Sequence, residues 1–385
     1  MKVVFVVGAG DYTGAAKMAH EYAKIARNSG WDIFFIVGDP PPSDCDKLSD
    51  FLKKDAFDFA QEKGFTLLRS ESLIRRVSKI IKSYNPDFVL STVQIDLKIT
   101  GPAARRSGKP VLIFDQTYHY FFGSFLIRYF KKFFFGKEMQ KALAIIATGE
   151  TVRNQAVQEF FCDPKKVYVV PNGVSFQERD SINNVSKLPK SDIVGLNVAR
   201  IDPQKGQQIA LESLSVLIKE GFDLKLHFAG TTTLNHPAST RYLDQLNQNI
   251  KRHKLYNFFT LLGWRSDVSK LLMQYDFYFH CSLWEGPSLP VSLLEAMACG
   301  IPVIMTDCAG VPTGFLNGIH GWIVKTGDSN DLAEAMRKMY NMTADQRIKM
   351  GTHCKNLVLE RYDIKKTGNL FVSTCERVIQ NFFKK

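Results

Sequence analysis

No stretch of the chain stays apolar for the roughly 18 consecutive residues that a membrane-spanning helix needs. The richest candidate, residues 110–135, is broken by Asp115, Arg128, Lys131 and Lys132, so a helical membrane span is not expected. Cysteine is sparse and scattered. The seven cysteines are odd in number, widely spaced and form no paired zinc signature, which fits a reduced, cytoplasmic protein. Residues 1–7 hold one lysine among apolar residues and lead into a glycine-rich segment, not into a longer apolar region with a cleavage site. They read as a first strand, not a signal peptide. Short-period repeats and low-complexity tracts are missing too.

With 45% hydrophobic and 23% charged residues in 385, the composition is that of a folded globular protein long enough for two domains. The net charge is 50 − 38 = +12. Residues 1–180 carry 26 basic and 20 acidic residues, so each half contributes +6 and neither is a basic tail. No nucleic-acid recognition motif accompanies the charge, and nucleic acid is not an expected partner. Residues 98–141, however, hold nine cations against Asp115 and Glu138, a local excess of +7.

Short β-branched and aromatic runs alternate with helix-length amphipathic segments, the pattern of parallel sheets built from strand-helix-strand units. Strands are predicted near 3–7, 33–37, 88–91, 111–114, 145–148 and 167–170, and again near 193–198, 224–229, 258–262, 277–281, 302–306 and 321–324. Between the two sets, residues 175–192 are polar and read as a linker. Two Rossmann-like doubly wound α/β domains are therefore expected. Residues 1–174 form the first, residues 193–362 the second, and residues 363–385 a C-terminal helix that is a candidate to pack back on the first. Helical spacing continues through 331–340, 344–360 and 367–383.

Several segments could carry chemistry. Gly8-Ala9-Gly10-Asp11-Tyr12-Thr13-Gly14 joins the first strand to a helix, where a ligand anion could meet free N–H groups, or the glycines could serve only a tight turn. The glycine spacing does not match a dinucleotide fingerprint. Arg200 and Lys205 flank Ile201-Asp202-Pro203-Gln204 just past the first strand of the second half, a position that suits a diphosphate but is equally open to ordinary surface charge. Further on, a strand end leads through a loop with Glu285 into a helix starting near Pro290, Val291 and Ser292, with Glu295 one turn inside. Two carboxylates and a helix N-terminus at one strand end could hold sugar hydroxyls and a phosphate. Asp44-Cys45-Asp46, in a proline-rich loop, is read as solvated and not as a metal site.

Residues 118–135 contain ten aromatics. Phe121, Phe125, Tyr129 and Phe133 recur every four residues beside Arg128, Lys131 and Lys132, which suits contact with an acceptor or with an anionic membrane surface. The other reading is a core helix of the first domain with a basic outer side.

These residues together carry a resemblance. Pro171-Asn172-Gly173-Val174, Val198-Ala199-Arg200 through Lys205-Gly206, Phe228-Ala229-Gly230, Leu262-Gly263, Glu285-Gly286, residues 289–300, Pro302-Val303-Ile304, residues 321–324 and Gly327-Asp328 are, in order and spacing, similar to the retaining, nucleotide-sugar-dependent glycosyltransferases of the family-4 type. That family has the GT-B architecture of two Rossmann-like domains facing a cleft. The resemblance implies a hexosyltransferase-type enzyme using a nucleoside-diphosphate-sugar as co-substrate, with no metal and no other cofactor, in bacterial-type surface-polysaccharide synthesis. It implies that Arg200 and Lys205 hold the donor diphosphate, that Glu295 binds the ribose and that Glu285 contacts the transferred sugar. Gly10 and Gly14 would sit close to donor phosphate or acceptor, Pro290, Val291 and Ser292 would meet the donor, and the base is expected against the backbone of Gly263, Trp264 and Arg265. A glycan or lipid-linked acceptor would lie on the first domain, with the protein peripheral at the inner face of the membrane.

The sequence departs from the family in two places. Nine residues separate Glu285 from Glu295, two more than the family's spacing. The histidine expected just after the fourth strand of the first domain comes late, as His119, and Asp115 stands near its place. GT-B epimerases and phosphorylases, or a sugar-binding module without activity, are the competing readings.

Overall fold

The computed structural model describes the chain except for residues 13, 40–45, 66–69, 93, 117–118, 120–124, 176–191, 233–236, 286–288, 309 and 385, and gives backbone alone for 94, 95, 125, 127, 128, 131 and 237. The chain folds as two compact units.

The first unit opens with β1 (Lys2–Ala9), α1 (Gly14–Asn28), β2 (Asp32–Asp39), α2 (Leu48–Lys54) and β3 (Asp58–Gln61). It continues through α3 (Glu71–Tyr84), β4 (Phe88–Ser91), α4 (Gln94–Arg106), β5 (Val111–Asp115), α5 (Phe125–Gln140), β6 (Ala144–Ala147), α6 (Glu150–Gln158) and β7 (Val167–Val169). Its seven strands are all parallel, in the order β3-β2-β1-β4-β5-β6-β7. Residues Val3 to Val7 are fully buried, as a strand covered by helices on both faces must be. The edge strand β3 escapes sequence reading because Asp58-Phe59-Ala60-Gln61 is short and has no apolar run. The strand ending at Asp115, expected to be the fourth, is in consequence the fifth.

The second unit runs β8 (Ile193–Val198), α7 (Gln207–Lys219), β9 (Leu224–Ala229), α8 (Pro237–Arg252), β10 (Phe259–Gly263), α9 (Val268–Leu272), β11 (Phe277–His280) and α10 (Val291–Ala298). It ends with β12 (Val303–Thr306), β13 (Gly321–Val324), α11 (Ser329–Asn341) and α12 (Ala344–Arg361). The strand order is β10-β9-β8-β11-β12-β13, again all parallel. Strand order reverses between β8 and β11, the switch point where open α/β sheets bind ligands beyond the carboxyl ends of their strands. Helix starts are set by local chemistry: Asp328 caps α11, and Thr343 and Gln346 form a reciprocal capping box at α12.

The last helix, α13 (Ile364–Phe383), belongs to the first unit and packs along α1. Phe371 lies against the rings of Tyr22, Trp31 and Phe114, and the Trp31 indole donates to Glu376 at 3.0 Å. Gly368 permits this approach, because a Cβ there would stand 2.2 Å from Ile25.

Candidate active site

The residues singled out in the second unit gather at its switch point. After β8 the chain turns through Pro203–Lys205, held by Asp202, whose carboxylate accepts from the Gln204 amide at 3.0 Å. Gly206 follows with φ +66°, and a Cβ there would fall 1.9 Å from the carbonyl oxygen of Cys281. Only glycine lets this turn rest against the chain leaving β11. The Leu283 amide then donates to the Gln204 carbonyl at 2.8 Å, and the Gln204 amide side chain to the Trp284 carbonyl at 3.1 Å.

That approach joins Lys205 to Glu285 in an ion pair whose side chains are only 15% and 13% exposed. The same carboxylate oxygen, Oε1, lies 3.1 Å from His280 Nε2 and accepts from the Ser282 hydroxyl at 2.8 Å. Thr306, at the end of β12, donates to the Ser282 carbonyl at 2.9 Å and so ties the neighbouring strand in. Burial raises the Glu285 pKa, but the His280 hydrogen bond and the Lys205 charge outweigh it and hold the carboxyl well below the usual range. Glu285 is thus an ionised carboxylate, oriented by three groups. His280 and Ser282 were not read from the sequence; the signal available was their place at the carboxyl end of a strand at the reversal point.

Arg200 is exposed at the end of β8, its carbonyl accepting from Gln207 at 2.7 Å. Glu295 lies half-buried one turn into α10. The Ser292 hydroxyl sits 2.9 Å from the buried Tyr278 hydroxyl. The first turn of α10, from Pro290 and Val291 onward, can offer an anion backbone N–H groups. Gly263 is exposed, with φ +68°, and its carbonyl accepts from the Gly230 amide at 2.7 Å. The Arg265 guanidinium is taken up by Asp267 in a two-point pair at 2.6 and 2.7 Å, so its side chain is committed locally. Trp264 is half-buried, and its indole N–H has no hydrogen-bond partner among the described residues.

In the first unit, Gly10 follows β1, and α1 begins at Gly14. The Gly10 carbonyl accepts from the Leu48 amide at 2.9 Å, and Tyr12 stacks on Phe51 with ring centres 3.7 Å apart. The glycine-rich segment is therefore pinned to the start of α2. His119 is 3% exposed: Nε2 meets Asp115 at 2.7 Å, Phe135 and Phe160 lie against the ring, and Gln155 bonds both its amide and its carbonyl. As placed, it is a buried partner of Asp115 and not an exposed imidazole. Phe121 and Asp44 lie outside the described residues, as do the side chains of Phe125, Arg128 and Lys131; Lys132 pairs with Glu159 at 2.8 Å, and the Asp46 carbonyl accepts from the Tyr12 amide.

Two family models match this chain, "Glycosyltransferase Family 4" over residues 12–178 and "Glycosyl transferases group 1" over residues 178–356. The chain is a family-4-type glycosyltransferase. Among relatives of this glycosyltransferase is a UDP-Gal:alpha-D-GlcNAc-diphosphoundecaprenol alpha-1,3-galactosyltransferase of Escherichia coli, 26% identical over 92% of this chain and 91% of its own. Another is an N,N'-diacetylbacillosaminyl-diphospho-undecaprenol alpha-1,3-N-acetylgalactosaminyltransferase of Campylobacter jejuni, 26% identical over 91% and 92%. The crystal structure of Anabaena HepE in complex with UDP superposes with a TM-score of 0.81 at 18% identity, covering 98% of this chain and all of that one, and shows the shared GT-B fold.

Proposed function

We propose that this glycosyltransferase moves a hexosyl group from a nucleoside-diphosphate-sugar to a lipid-linked sugar, or a glycan built on one, with retention of anomeric configuration. The observation that carries the reading is the ionised Glu285 bound to Lys205 at the β8–β11 switch point, in a chain that matches two transferases named for diphosphoundecaprenol-linked acceptors along more than nine-tenths of its length. In the reaction the bond from the anomeric carbon to the diphosphate breaks, the acceptor oxygen bonds to that carbon and loses its proton, and the nucleoside diphosphate leaves. Arg200 and Lys205 meet the charge that builds on the departing diphosphate, and the first turn of α10 adds backbone N–H groups. Glu285 holds hydroxyls of the transferred sugar beside that diphosphate, and Glu295 holds the ribose. Fixed cations fill the role a metal would have, so no cofactor is required. Asp115 and His119 belong to the acceptor side, and the enzyme works at the inner face of a membrane, in polysaccharide assembly.

The test incubates the full chain with a panel of nucleoside-diphosphate-sugars and a diphospho-polyprenol-linked monosaccharide. Formation of a disaccharide product whose new linkage keeps the donor's anomeric configuration by NMR, undiminished by EDTA, is expected. Donor epimerisation or phosphorolysis without acceptor would overturn the reading, and rescue of an EDTA-inactivated enzyme by magnesium would overturn its metal-independent part. Arg200→Ala should lower kcat more than it raises KM, because its partner gains charge only as the bond breaks.

A further inference from the structure

Lys205 is one ammonium with two anions to serve. In the free protein it lies on Glu285, yet in the proposed reaction it also meets the donor's diphosphate. The hydrogen bonds at Glu285 show which partner can change. Three donors converge on the single oxygen Oε1: the Lys205 ammonium, the Ser282 hydroxyl at 2.8 Å and His280 Nε2 at 3.1 Å. A carboxylate oxygen has two lone pairs, so one donor is surplus. His280 closes β11 and Ser282 follows it, and the two are only 2% and 1% exposed. Lys205 instead ends a flexible four-carbon stem on the turn after β8. It is the donor free to leave.

What stays behind depends on the protons of His280. An ionised Glu285 can only accept, so Nε2 carries a hydrogen. Nδ1 lies 3.4 Å from the Thr306 hydroxyl oxygen. The Thr306 proton is directed at the Ser282 carbonyl at 2.9 Å, and the Cys308 thiol donates to the same carbonyl at 2.9 Å, which fills that oxygen's two lone pairs. Thr306 therefore presents Nδ1 with a lone pair. The contact is a hydrogen bond only when Nδ1 carries a proton as well, so every group in the cluster is matched by an imidazolium. The titratable and charged groups around it are Glu285 after β11, Lys205 after β8, Cys281 beside it, Cys308 after β12 and Tyr278 on its own strand, with Glu295 of α10 near Tyr278. Burial pushes the Cys281 thiol up to about 12 and raises Cys308 and Tyr278, so these three stay neutral.

We propose that His280 is a positioning residue that takes over from Lys205: the donor diphosphate draws the ammonium away, and His280, as an imidazolium, keeps Glu285 aimed at the transferred sugar together with Ser282. This deepens the proposed function and rests on its assignment of Lys205 to the diphosphate. A buried carboxylate left without a cation is costly, and the protonated ring supplies one without any movement of the chain. The exchange involves a proton as well as an ammonium. Diphosphate adds negative charge, and Lys205 no longer offsets Glu285, so the bound state holds the His280 proton more tightly than the free state. Above the pH at which free His280 loses that proton, binding draws one from the buffer onto the ring. Donor affinity is therefore constant below that pH and weakens above it, until the bound state loses the proton too.

One arm of the experiment needs no donor. NMR of the full chain, labelled at histidine, follows the His280 ring from about pH 5 to about pH 9, with His280→Gln or His280→Asn identifying its signal. Lys205→Ala should keep His280 protonated to higher pH than in wild type, by about one pH unit or more. A ring that stays neutral across the range, or that titrates alike in both proteins, overturns the proposal. In the second arm a thermal-shift panel of UDP, GDP, ADP, CDP and dTDP selects the nucleotide, and calorimetry in buffers of unlike ionisation enthalpy counts the protons taken up on binding. Wild type should take up as much as one proton, its Kd rising by up to about tenfold per pH unit above the free His280 titration. His280→Gln, which cannot ionise, should bind without proton uptake and with a Kd flat against pH; a merely structural histidine would leave the profile unmoved. Equal pH profiles for the two proteins, or no uptake by wild type, overturn the proposal. Failure of every nucleotide to bind would count against the transferase reading, and the donor-free titration would still decide whether an imidazolium replaces Lys205.

Discussion

Replacing Lys205 with alanine tests the ion pair and the diphosphate role at once. Exposed ion pairs contribute up to about 1 kcal/mol, whereas breaking a fully buried one costs about 3–5 kcal/mol. With side chains 15% and 13% exposed, the Lys205–Glu285 pair falls between, and His280 and Ser282 remain to hold the carboxylate after the cation is gone. A loss of about 2 kcal/mol at neutral pH is expected, which for a unit of this size lowers Tm by roughly 4–8 °C. The pH dependence gives a sharper readout. Because the folded Glu285 pKa is depressed, its contribution is present above the ordinary carboxylate value of about 4.3 and is lost as pH falls through the lower folded value. Removing Lys205 weakens the opposition to burial, the largest influence on this group, so the folded pKa moves up and the acid loss begins at higher pH. Urea unfolding from neutral to acid pH measures both effects. An unchanged midpoint together with an unchanged acid limb would show that the pair does not form in solution. Whichever nucleoside diphosphate stabilises the wild type in a thermal-shift panel should stabilise the variant much less, and equal stabilisation would remove Lys205 from the proposed diphosphate site.

On the ribose role proposed for Glu295, Glu295→Gln should weaken nucleotide binding by roughly tenfold, measured by calorimetry. Gly206→Ala should cost about 3 kcal/mol or more in urea unfolding, because φ is +66° and its Cβ would meet the Cys281 carbonyl oxygen at 1.9 Å. His20 is buried beside Tyr12 and Asp55, and burial, with Lys24 adding to it, lowers its pKa to about 4. The folded state therefore favours neutral imidazole, and stability should fall by up to about 3 kcal/mol as pH drops from about 6.5 to about 4; a His20→Asn variant should show a flatter Tm profile over that window.

The strand-helix alternation was legible because parallel strands covered on both faces need unbroken apolar runs, and residues such as 3–7 and 33–37 supply them. Asp58–Gln61 has no such run; its place at the sheet edge comes from pairing with β2, which composition does not encode. At the candidate site, Arg200, Lys205, Glu285 and Glu295 could be singled out from residue type and position. The contact between Lys205 and Glu285 could not, since they lie 80 positions apart and it depends on the backbone approach at Gly206. Helix α5 shows the limit of periodicity most clearly. The aromatic periodicity was visible in the sequence, yet which residues face the core depends on where Phe160 packs, a contact made from a different helix end.

Helix α13 sets an order of events for the growing chain. The first unit lacks the Phe371 that covers Tyr22, Trp31 and Phe114 until α13 is made, after the second unit. At about 5–20 residues per second, the intervening second unit occupies the ribosome for roughly ten to forty seconds. Throughout that interval an aromatic face on a nearly finished sheet waits open, while the unit encoded after it is free to fold to completion. A stop codon just before Ile364 would leave the second unit whole and strand the first in that waiting state.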